Sequence, residues 1–119
     1  MGYKFTLTGI NVTTNCLGTV DTNRSRITSP NYPQNYNNYD NCYWFLWSEE
    51  DISLEFEFFS TESCCDFVRM YNENSTLIGS YKGELSREIT SKIVVDVSAN
   101  LIKIAFTSDG HFTNPGFSL

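Results

Sequence analysis

A chain of 119 residues with 40% hydrophobic and 15% aromatic residues can bury a core as one domain, which excludes a disordered segment. Its formal net charge of −6 and its scattered Lys and Arg exclude a phosphate-backbone interface, and they favour basic partners or divalent cations. No apolar run approaches the roughly 18 residues that span a bilayer, and Met1-Gly2 opens without a charged region and apolar run, so no signal peptide is expected there.

Tyr3–Thr8 alternates as a short strand does, and Gly9–Asn15 is polar, either a loose leader or an edge strand. The domain proper is expected over residues 16–119, with residues 1–15 as the leader or edge strand. Arg24–Ile27 reads as a short edge strand. Ser29–Asn41 holds Pro30, Pro33, five asparagines and three tyrosines, so it is a loop: proline lacks a donor and asparagine prefers turns. Tyrosine suits such a loop, because its ring packs while its hydroxyl finds a partner. Cys42–Trp47 is apolar at every position and predicts a strand buried on both sides or at an end of a sandwich. Trp44, Trp47 and the phenylalanines are assigned to the core.

Ile52–Phe58 is expected to be one strand with Ile52, Leu54, Phe56 and Phe58 inward and Glu55 and Glu57 on a solvated face. Asn72–Ser75 is a turn, Leu77–Tyr81 a short strand and Lys82-Gly83-Glu84 another turn. Ile93–Val97 and Leu101–Thr107 are β-rich, split by Ser98-Ala99-Asn100, and Gly116–Leu119 ends in a strand. Eight to ten short strands without an amphipathic helix predict an all-β antiparallel sandwich.

The four cysteines form neither CxxC pairs nor zinc spacing with His111, the only histidine. Adjacent Cys64 and Cys65 have three possible fates: a vicinal disulfide, two free thiols, or pairing with another chain. Sequons at Asn11, Asn23 and Asn74 fall in polar, turn-like places and, with the cysteines, favour an extracellular setting. Ser108, Asp109 and His111 lie too close in sequence to form a nucleophile–base–orienter chain, and no GxSxG elbow is present, so an enzyme is not expected. Glu62 and Asp66 flank the paired cysteines between two strands, and Asp109 follows a late strand. From spacing alone the simpler reading is separate solvated loop acids.

Three motifs in order change that reading. Ser29-Pro30-Asn31-Tyr32-Pro33 with Tyr36 and Cys42-Tyr43-Trp44, then Cys65-Asp66-Phe67-Val68-Arg69-Met70-Tyr71, then Phe106-Thr107-Ser108-Asp109 with Gly116-Phe117, together resemble a CUB domain over about residues 16–119. The resemblance implies a jelly-roll-like sandwich of two sheets, an extracellular protein-binding role and a Cys16–Cys42 disulfide. Resemblance to the calcium-binding branch further implies Ca2+ held by Glu62, Asp66 and Asp109, with Tyr36 orienting Glu62 and a partner's Lys or Arg captured by the same carboxylates. Calcium takes six to eight oxygens, and backbone carbonyls at Gly110-His111 with water are expected to complete the shell. The sequence departs from the family in two ways. The loop between Glu62 and Asp66 is short, and no cysteine lies near Leu77-Ile78-Gly79, so Cys64 and Cys65 are left to each other. A metal-free adhesion or carbohydrate-binding module is the rival reading, with Tyr32, Tyr36 and Tyr39 as a conceivable glycan platform.

Overall fold

In the computed structural model, residues 2–7, 9–86, 94–97, 101–110 and 113–119 are described, residues 94–97 by their backbone alone. Among them run thirteen strands: β1 (Tyr3–Leu7), β2 (Ile10–Thr14), β3 (Val20–Asp21), β4 (Arg26–Ile27), β5 (Asn41–Trp47), β6 (Ile52–Glu55), β7 (Phe58–Ser60), β8 (Phe67–Tyr71), β9 (Leu77–Tyr81), β10 (Glu84–Leu85), β11 (Val94–Val97), β12 (Leu101–Thr107) and β13 (Gly116–Ser118). No helix occurs among the described residues. All pairings are antiparallel: a six-stranded sheet in the order β1-β2-β5-β12-β8-β9 faces the shorter sheets β10-β7-β13, β11-β6 and β3-β4. This is the expected jelly-roll-like sandwich, with more and shorter strands than the sequence suggested.

Period-two alternation fixes which side of the large sheet is dry. Cys42, Trp44 and Leu46 of β5, Ile102, Ile104 and Phe106 of β12, and Val68 and Met70 of β8 are all buried. Phe56, Phe59, Phe117 and Ile27 meet them from the opposite layer. Phe117 touches four rings, Phe106 at 5.6 Å, Trp44 at 5.7 Å, Phe56 at 6.3 Å and Phe59 at 6.4 Å between centroids.

Strand β5 is therefore one-sided, not buried on both faces. Tyr43, Phe45 and Trp47 point outward, and Trp47 is 44% exposed, so it leaves the core to which the sequence assigned it. The outward aromatics carry cations: Lys103 Nζ lies over the rings of Phe45 and Tyr71 at 5.6 and 5.8 Å, and Arg69 over Phe67 at 4.3 Å. None of the six strands contains Asp or Glu, whereas Lys4, Arg69 and Lys103 all belong to them.

The single strand expected over Ile52–Phe58 breaks after Glu55. β6 pairs with β11, while β7 pairs with β10 and β13, and the inward phase shifts from Phe56 to Phe59. Phe58 is consequently exposed and leans on Tyr32, with centroids 5.9 Å apart. Glu57 is not simply solvated. It pairs with Arg26 at 2.9 Å and accepts from the Ser118 hydroxyl at 2.6 Å.

Before Cys16, Tyr3–Leu7 and Ile10–Thr14 are part of the large sheet. β1 is its edge and β2 lies one place inward, where Asn11–Thr14 register with Trp47–Trp44. The Cys16–Cys42 disulfide ties the segment after β2 to β5. Asn11 sits in strand β2, not in a turn, though its side chain is exposed. Asn23 and Asn74 lie in exposed turns.

Candidate metal centre

The rim of the sandwich between β7 and β8 is built from a clamp outward. Thr61 follows β7 and is buried. Its hydroxyl donates to the Asp66 carbonyl at 3.0 Å and accepts from the Gly83 amide at 3.0 Å, while its own amide donates to the Gly83 carbonyl at 2.9 Å. Both ends of the Glu62–Cys65 loop are thereby held. Within it, the amides of Cys65 and Asp66 donate to the Glu62 carbonyl at 3.4 and 3.3 Å, closing a tight turn.

Asp66 lies beneath this turn, fully buried. Its Oδ2 accepts from the Tyr36 hydroxyl at 2.5 Å and its Oδ1 from the Asp109 amide at 2.9 Å. The Tyr36 hydroxyl also accepts from the Glu62 amide at 3.2 Å. One phenol and one carboxylate therefore join the SPNYP loop, the Glu62 turn and the end of β12. Tyr36 is itself fixed, since its ring meets Phe106 edge-on at 4.9 Å and its amide donates to the Asn114 carbonyl at 3.1 Å. Burial, and then the bond to Asp66, push the Tyr36 phenol well above the ordinary tyrosine range.

Glu62 and Asp109, the outer two of the three predicted acids, come together. One carboxylate oxygen from each, with the sulfurs of Cys64 and Cys65, all lie within 4.8 Å of one another. Oε1 of Glu62 is closed off from solvent. Asp66 supports this group from below. Cys64 and Cys65 are bonded to each other, so among the three fates open in the sequence it is the vicinal disulfide that the structure contains. Tyr36 holds the Glu62 backbone and the Asp66 carboxylate, whereas the resemblance implied orientation of the Glu62 side chain. Gly110 packs under the hydroxyl of Tyr39, which a Cβ there would overlap. His111 lies outside the described residues. Ser108 is committed to the loop: its hydroxyl donates to the Asn37 carbonyl at 2.7 Å and accepts from the Asp40 amide at 2.8 Å. Thr61 was missed as a site residue; its place straight after the strand was the available signal.

The donor set fits a calcium ion. With Ca–O distances of 2.3–2.6 Å, opposite oxygens around one ion stand at most about 5.2 Å apart, and the Glu62 and Asp109 oxygens are within 4.8 Å. Each Asp66 oxygen has a lone pair left after its one hydrogen bond. The sulfurs are tied up in a disulfide and are not thiolates, so the available donors are hard oxygens.

The sandwich, the short rim loops and the Cys16–Cys42 bond define a jelly-roll binding module. A family model described as CUB domain matches residues 16–119, and the chain belongs to that family. It is 34% identical over 110 residues to an astacin-like metalloendopeptidase of Gallus gallus, covering 86% of this chain and 26% of that protein. It is 32% identical over 112 residues to tolloid-like protein 2 of Mus musculus, covering 87% and 11%. Human neuropilin-2 is 29% identical over 103 residues, covering 78% and 10%. The chain thus spans roughly a quarter or less of these relatives' lengths. Among solved structures, the MASP-1 CUB2 domain bound to Ca2+ superposes with a TM-score of 0.68 at 27% identity, over 78% of this chain and 86% of that one. The human MASP-1/3 CUB1-EGF-CUB2 structure gives 0.69 at 25% identity, over 78% and 38%. A CUB domain is a non-catalytic binding module, so likeness to a peptidase concerns this module and not peptide hydrolysis.

Proposed function

We propose that this domain is an extracellular recognition module whose acidic rim is organised by Ca2+ and captures a Lys or Arg side chain of a partner protein. The observation that carries the reading is the convergence of Glu62 and Asp109 over a buried Asp66 fixed by Tyr36. Likeness to a CUB domain solved with Ca2+ supports it. Glu62, Asp66 and Asp109 would hold the ion, and Tyr36 keeps Asp66 and the Glu62 turn in place. Three carboxylates leave the loaded rim with a net negative charge, which suits a cationic side chain of the partner. Extracellular modules bind calcium at roughly 10⁻⁴–10⁻³ M, so the site would fill outside a cell and empty inside one.

Thermal unfolding with and without millimolar calcium tests this. At ten times its dissociation constant the ion stabilises the wild type by about 1.4 kcal/mol, and Asp109→Asn abolishes the gain. An unchanged wild-type midpoint in calcium overturns the reading in favour of a metal-free module.

A further inference from the structure

We propose that the Cys64–Cys65 bond sets which metal the rim accepts, and that its reduction turns the turn into a zinc site of two sulfurs and two carboxylates. The sulfurs of Cys64 and Cys65 and carboxylate oxygens of Glu62 and Asp109 are mutually within 4.8 Å. In the oxidised protein the sulfur pair is inert and only oxygens are offered. In the reduced protein the same four side chains are the full complement of a tetrahedral site, with Zn–S near 2.3 Å and Zn–O near 2.0–2.2 Å. Tetrahedral geometry asks the two sulfurs to part to about 3.8 Å, which side-chain rotation at two neighbouring residues can supply. Softer sulfur ligands favour zinc over calcium.

The fold makes this change local. Thr61 and Asp66, at the two ends of the turn, are buried; Thr61 is bonded to the Asp66 carbonyl and to Gly83, and the Asp66 carboxylate to Tyr36 and the Asp109 amide, so opening the bond frees the tip and leaves its base. Cys64 is exposed and open to a reductant. The Cys16–Cys42 bond is the more shielded of the two, with Cys42 1% exposed and Cys16 partly buried. A dithiol reductant accounts for the step. Its two thiols become a disulfide, the Cys64–Cys65 bond takes the two electrons, and the two protons pass to the cysteine sulfurs. Zinc then displaces those protons to solvent.

The inference concerns the same turn as the calcium reading, and rests on it only in that Glu62 and Asp109 share one ion. Its test is separate. The protein is reduced with a phosphine, which leaves as its oxide after taking oxygen from water and does not compete as a thiol. Alkylation and peptide mass mapping report which bond has opened. Zinc, and cobalt as its spectroscopic substitute, are then titrated into oxidised and reduced protein. The expected result is one equivalent bound by the reduced form, with a sulfur-to-cobalt charge-transfer band, and at least tenfold weaker binding by the oxidised form. Cys64→Ser/Cys65→Ser should lose the band, and reduced Asp109→Asn should bind more weakly while keeping it. Equal zinc binding by both forms overturns the proposal. So does absence of the band when mapping shows Cys64 and Cys65 free. Opening of Cys16–Cys42 before Cys64–Cys65 also overturns it, because the change would then not be local. A zinc result in either direction leaves the calcium response of the oxidised protein as an independent readout.

Discussion

The hydroxyl of Tyr36 donates to Oδ2 of Asp66 at 2.5 Å across 30 residues of sequence, with both side chains buried. Tyr36→Phe keeps the ring against Phe106 but leaves a buried carboxylate oxygen without its donor and the Glu62 amide without its acceptor. A hydrogen bond to a charged group contributes about 1.5–3 kcal/mol, and a loss of that size is expected in urea unfolding. In the same variant the calcium midpoint should move to higher concentration, because the Glu62 turn loses its anchor.

The same phenol predicts a loss of stability in alkali. Its proton is held more tightly in the folded chain than in the unfolded one, chiefly through burial and then through Asp66. The contribution is complete below the ordinary tyrosine value of about 10 and is lost as pH rises from there toward the raised folded value. Tyr81 is raised by burial and acts in the same direction. Denaturant unfolding at about pH 9 and pH 11 should show this fall. Tyr36→Phe should flatten it in part, and adding Tyr81→Phe should flatten it further.

Gly116→Ala should be costly for steric and backbone reasons alone. Gly116 has φ of +90° and is buried, and a Cβ there would overlap the Ser29 hydroxyl and come within 3.3 Å of the Tyr36 ring. The Ser29 hydroxyl accepts from the Phe117 amide at 3.0 Å, so it cannot swing away freely. Backbone strain and overpacking together predict about 2–4 kcal/mol, read as a lower melting temperature. Gly9 has φ of +84° with no neighbour to clash, so Gly9→Ala should show the strain alone and a smaller loss.

The two tryptophans should behave oppositely. Trp44 is fully buried and its indole donates to the Thr19 hydroxyl at 2.9 Å, whereas Trp47 is 44% exposed. Trp44→Ala should cost about 3–5 kcal/mol, and Trp47→Ala about 0.5 kcal/mol or less. Iodide should quench the emission of Trp47 and spare that of Trp44 until the protein unfolds.

The alternation of Leu101–Thr107 and the turn residues between strands carried the all-β fold openly, because each inward residue is separated from the next by one outward position. Cys42–Trp47 misled for a physical reason. Its outward aromatics are partly covered by Lys103 and by one another, Tyr43 and Phe45 standing 5.2 Å apart, so an outer face could stay apolar. The shift between Phe56 and Phe59 was hidden because both phases offer phenylalanine. At the rim, Asp66 and Asp109 stood out through the motifs they occupy, and Glu62 only through what the resemblance implied. The division of labour among them was not: a sequence shows three acids, but only burial shows that Asp66 lies under the other two.

The absence of Asp and Glu from β1, β2, β5, β8, β9 and β12 gives the domain two electrically unlike sides. Although its net charge is −6, the sheet that bears Lys103 and Arg69 presents cations, and among the described residues the acids lie on the other layer and in the loops. Such a molecule is an electric dipole as well as an anion. Near a charged surface it turns before it touches, within a screening length of about 8 Å at physiological salt, and concentrated salt removes that preference of approach.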